Sequence, residues 1–76
     1  MKPFDSEETI FYDLLVYNAE KIADGTQEPI KAGRFYEENM PTLEKINEVV
    51  KAKGFDTFEI ETNKIITKRY LVKYYD

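Results

Sequence analysis

A length of 76 residues limits the chain to one small domain, expected to bury about 60% of its unfolded surface around a core of about a dozen side chains. The absence of Cys and His removes disulfide and zinc staples, thiol nucleophiles and the commonest general base near neutrality. Lys and Arg total 11 against 15 Asp and Glu, a balance that argues against nucleic acid, while six Tyr and five Phe argue against disorder.

The first predicted element is a helix from Asp5 to about Asp24. Asp5 can cap it, Glu8 stands where a capping box wants an acid, and Gly25 suits a left-handed stop. On a helical wheel Ile10, Phe11, Leu14, Leu15 and Ile22 centre an apolar arc that Tyr12, Val16, Ala19 and Ala23 widen beyond the usual stripe. Asp13, Tyr17, Glu20 and Lys21 form the polar margin. Such a helix is expected to be central in the fold or shared with a partner.

Pro29 fits the first turn of a second, shorter helix over Ile30–Glu38, with Phe35 and Tyr36 as core contacts and Gly33 weakening it by about 1 kcal/mol. Asn39-Met40-Pro41 breaks this helix. A third runs from Thr42 to Lys53, with Leu43, Ile46, Val49 and Val50 on one face. It should end in a Schellman motif at Gly54 with Phe55 turned back on Val50. A β-hairpin follows, Thr57–Glu61 and Ile65–Tyr74 joined at Thr62-Asn63-Lys64, pairing Ile60 with Ile66.

Three helices followed by a C-terminal hairpin give an α+β fold in winged-helix-like order. In such a fold the third helix would read bases with Lys45, Asn47 and Lys51, and the wing would hold phosphates with Lys64, Lys68 and Arg69. Glu44 and Glu48 on the same helix oppose that reading.

Charge is unevenly spread. Residues 1–40 hold four bases and nine acids, and residues 41–76 hold seven bases and six acids. Catalysis is not expected: Ser6 is the lone serine, no glycine-rich phosphate loop is present, and Glu59 with Glu61 form the one carboxylate pair on a shared strand face. No cofactor or metal is expected. Residues 1–8 are too polar for a secretory leader and the longest apolar run, Leu14–Tyr17, is far short of a membrane span, so a cytoplasmic setting is expected.

The tyrosines point to a protein partner, because the ring brings apolar area and a polar tip at low entropic cost. Tyr12, Val16, Tyr17 and Tyr36 are the candidate contacts on the helical side, with Tyr74 and Tyr75 at the end of the chain. The sequence therefore reads as a small acidic interaction module, either a homodimeric regulator or an inhibitor docking on a larger enzyme, as compact acidic proteins of phages and mobile elements do.

Overall fold

The structure, a computed structural model, describes residues 1–73. It corrects the expected order of elements. The segment read as the first helix is a 13-residue strand, β1 (Asp5–Tyr17), followed by a short helix, α1 (Ala19–Ala23). The second expected helix is a strand, β2 (Ile30–Tyr36), running into a single 3-10 turn at Glu37–Asn39. The third is a true helix, α2 (Leu43–Ala52), and the expected hairpin is one unbroken strand, β3 (Thr57–Arg69). The strands make an antiparallel sheet in the order β2-β1-β3. Among the described residues this is a sheet with one helix longer than five residues, and the winged-helix order is absent.

The reason lies in β1. The run Thr9-Ile10-Phe11-Tyr12 and the run Leu14-Leu15-Val16-Tyr17 are rich in β-branched and aromatic side chains, which pack well on a pleated surface. Apolar residues fall on both sides of the strand. Tyr12, Leu14 and Val16 face one way, and Phe11, Leu15 and Tyr17 the other. A wheel drawn at helical spacing turns such a two-sided strand into an over-wide apolar arc.

The hairpin fails for a complementary reason. Thr62-Asn63-Lys64 contains no glycine, and β1 offers an uninterrupted partner from Tyr17↔Thr57 to Asp5↔Arg69. Ile60 therefore stands opposite Leu14 and Ile66 opposite Glu8, and they do not pair with each other.

The helix α2 begins where Thr42 accepts a hydrogen bond from the Lys45 N–H, a side-chain N-cap. It ends in the Schellman motif: the Gly54 N–H donates to Lys51 O, the Phe55 N–H to Val50 O, and Gly54 takes φ +87°. Ile46 and Val50 are pressed onto Leu14 and Val16, and Phe35, Met40, Phe55, Phe58 and Ile60 close the cluster. Gly33 lies beneath the Phe35 ring, where a Cβ would come within 3.4 Å of it.

One end of the sheet is tied by reciprocal side-chain bonds. The Asp56 N–H donates to Asn18 Oδ1 at 3.1 Å, and the Ala19 N–H donates to Asp56 Oδ1 at 2.9 Å, which secures the start of α1 to the start of β3. Among the described residues no helix is long and apolar enough to cross a membrane.

Candidate protein interface

The strand β1 has two unequal halves. Residues Phe11–Val16 are flanked by β2 on one side and β3 on the other, and together with α2 they form the body of the molecule. Residues Asp5–Ile10 pair only with Lys64–Arg69. This second half is a two-stranded arm about 20 Å long that leaves the body behind. The molecule is accordingly elongated, with extents of 64 × 29 × 13 Å. Its radius of gyration is 19.2 Å, where a compact chain of this length would have about 11 Å.

The arm is polar by cross-strand pairing. Arg69 reaches Asp5 Oδ2 at 2.7 Å and Glu7 Oε1 at 3.0 Å on one face. Lys64 reaches Glu8 Oε1 at 2.8 Å on the other. Between these pairs stand Ile65 and Ile66, 49% and 55% exposed, which no helix covers among the described residues. At the tip, the Phe4 N–H donates to Arg69 O and brings the chain ends together. There Met1, Phe4, Leu71 and Val72, each more than half exposed, line a shallow hollow together with Lys2 and Lys73.

The face of the body opposite α2 carries a different arrangement. Asp13 is 4% exposed and sits at the centre of a basic cage. Arg34 donates to it through Nε at 2.9 Å and Nη2 at 3.4 Å, Asn63 donates through Nδ2 at 3.2 Å, and Lys31 Nζ lies 3.4 Å away. A one-residue bulge at Ala32 makes this possible: Leu14 faces Gly33 but Leu15 faces Lys31, so Lys31 and Arg34 reach the same side of the sheet. Arg34 also lies 4.2 Å over the Phe11 ring, whose other neighbour is Tyr36. The Arg34 guanidinium, helped by Lys31, holds the Asp13 carboxyl below its ordinary value of 3.8, against the opposing effect of burial. The cage is a satisfied structural cluster with no unpartnered buried polar atom among the described residues.

The expected contact residues are scattered. Tyr12 is half-buried on the α2 side and Val16 lies in the core beneath that helix. Tyr17 faces the other way and donates from its hydroxyl to Glu59 Oε1 at 2.6 Å, which raises its pKa above 10.0. Tyr36 is exposed on that same opposite face, and Tyr74 and Tyr75 lie outside the described residues.

The basic set is divided too. Lys45 flanks the β2 side of α2, whereas Asn47 and Lys51 border the groove on its β3 side. Lys64 and Lys68 share one face of the arm and Arg69 occupies the other, with Lys64 and Arg69 held by acids of β1. Among the described residues the pairing of a reading helix with a wing, on which the DNA reading depended, is absent. Glu59 and Glu61 share a face, but no group of three His, Cys, Asp or Glu suited to a metal forms among the described residues.

From sequence, Asp13 is a helix-margin residue, Asn63 a loop residue, and Ile65 and Ile66 members of the hairpin's second strand, while Arg34 has no role at all. None of them is expected where the structure places it. A lone acid inside the apolar run Ile10–Tyr17 was the available signal, since such a carboxylate needs cationic partners from neighbouring strands. Comparison with protein-family models, curated proteins and solved structures finds no match.

Proposed function

We propose that this chain is a non-enzymatic interaction module, a small acidic regulator or inhibitor that acts by binding another polypeptide through its arm. The observation carrying this reading is the arm itself: among the described residues both of its long edges lack a partner strand and both faces lack a covering layer, and its tip gathers Met1, Phe4, Leu71 and Val72. A ribbon of this kind offers main-chain hydrogen bonds along its edges and apolar anchors at its end, the two elements by which strand addition obtains affinity and specificity.

The surface area agrees with the reading. The chain exposes 6275 Å², whereas a folded monomer of 9.0 kDa is expected to expose about 4,900 Å². Part of the surplus of roughly 1,400 Å² belongs to residues outside the strands and helices, yet it exceeds the ~800 Å² per partner that a specific interface buries.

A photo-crosslinking residue placed at Leu71 tests this in cells producing the protein, with Glu20 on α1 as the control position. The expected result is one discrete adduct with a polypeptide at Leu71, lost when Phe4→Ser and Val72→Ser are introduced. Equal and diffuse labelling from both positions would refute binding through the arm.

A further inference from the structure

Resting on that reading and deepening it, we infer that the outer edge of β3 is a self-complementary surface whose occupant is the β3 edge of a second copy of this chain, joined antiparallel about a two-fold axis at Asn63. The two edges of the sheet are treated differently. β2 is seven residues long and bulged at Ala32, devices that blunt an edge. β3 is 13 residues long, contains no proline, and keeps a continuous register against β1. Its outer side has no partner strand among the described residues.

Charge along this edge selects the partner. The half of β3 in the body carries Glu59 and Glu61, and the half in the arm carries Lys64, Lys68 and Arg69. Glu59 and Glu61 lie on the face opposite Lys64 and Lys68, and Lys64 and Arg69 are already paired with acids of β1. The charges that an antiparallel copy brings together are therefore Lys68 on the α2 side and the carboxylates of α2 beside Phe58. Asn63 is the midpoint of Thr57–Arg69, so pairing about it uses the whole strand and lays the arm of each copy along the body of the other.

In that register Ile60 stands directly opposite Ile66 of the second copy, and Phe58 opposite Lys68. The exposed Ile66 thereby gains an apolar neighbour at the margin of the core. The groove beside Phe58, lined by Leu43, Glu44, Asn47 and Glu48, gives Lys68 two carboxylates within its compass. The same side of each sheet carries α2, as a two-fold axis perpendicular to the sheet requires. The result is a continuous six-stranded sheet closed by isologous contact, which does not propagate into fibres. The outer edge of Asp5–Ile10 and the arm's apolar tip stay open for a further partner.

The test is a pair of charge-inverted chains measured by sedimentation from low micromolar to several hundred micromolar. The wild-type chain is expected to reach twice its 9.0 kDa mass. Glu44→Lys with Glu48→Lys makes the α2 side of the contact basic, and Lys68→Glu makes the strand side acidic. Each variant alone should dimerise at least roughly tenfold more weakly, and an equimolar mixture should recover the dimer, with circular dichroism confirming that both still fold. A wild-type chain that stays monomeric throughout overturns the inference. So does a dimer indifferent to both inversions, or a mixture that fails to recover. In this register Leu71 comes near Phe55 of the second copy, so an adduct of twice the chain's mass reports self-pairing and one of any other mass reports the arm's partner, and the two readings fail separately.

Discussion

The body and the arm are cut from the same two strands, yet they are held together by different forces. In the body, β1 is enclosed by two strands and covered by α2, and Leu14, Val16, Ile46 and Val50 are withdrawn from water. In the arm the ladder continues without a bulge, but its side chains are charged pairs and exposed isoleucines. Exposed ion pairs are each worth only a fraction of a kcal/mol, and an isolated two-stranded ribbon is marginal in water. Burial therefore stabilises the body, while the arm is regular structure awaiting something to lie against. Hydrogen-bonded length alone is a poor guide to where stability resides.

Substitutions should separate the two regions. The largest effect is expected at Leu14→Ala, which removes a buried side chain beneath α2 and should cost about 3 kcal/mol in urea unfolding. A loss below about 1 kcal/mol would show that the core lies elsewhere.

Asp13→Asn should come next. It leaves Arg34 and Lys31 without their carboxylate, and melting should fall at neutral pH, by less than for Leu14→Ala. Its pH dependence is more specific. The folded-state pKa of Asp13 is depressed, so its contribution is present above the ordinary value of 3.8 and is lost as pH falls through the lower folded-state value. The acid limb of wild-type stability below about pH 4 should flatten in the Asn variant. Identical acid limbs would mean that the cage does not hold an ionised carboxylate.

Gly54→Ala should cost about 1 kcal/mol, because the Schellman turn holds φ at +87° with open space around the missing Cβ, so strain alone opposes the methyl. Ile65→Thr in the arm should have the smallest effect, within about 0.5 kcal/mol for the dilute monomer, since both side chains suit a strand and the position is exposed. A cost comparable to that of Leu14→Ala would erase the distinction between arm and body.

What was legible in the sequence follows the same division. The helix α2 announced itself through the face of Ile46 and Val50, the break at Pro41 and the stop at Gly54, all local signals that tertiary packing reinforced. Gly25 also takes the left-handed conformation foreseen for it, with φ +79°, although the helix it follows has only five residues. The strands were hidden because their pattern is not the ordinary alternation. In β1 an apolar residue sits at nearly every position from Ile10 to Tyr17, since one face meets α2 and the other is sheltered by Arg34 and Tyr36, so period two disappears. In β3 the polar triplet Thr62–Lys64 looked like a turn, although Asn63 spends its side chain on Asp13, fifty residues away along the chain. Contacts of that range leave no trace in local composition. The arm could not be read either, because whether Ile65 and Ile66 are covered depends on the whole topology.

The most direct measurement is residue-resolved amide hydrogen exchange along β1. A central strand hydrogen-bonds on both sides and an edge strand on one. Protection should therefore be continuous over residues 11–16 and fall on every second amide over residues 5–10. Uninterrupted protection from residue 9 through residue 23 with none over residues 5–8, the signature of a single long helix, would contradict the account at its foundation.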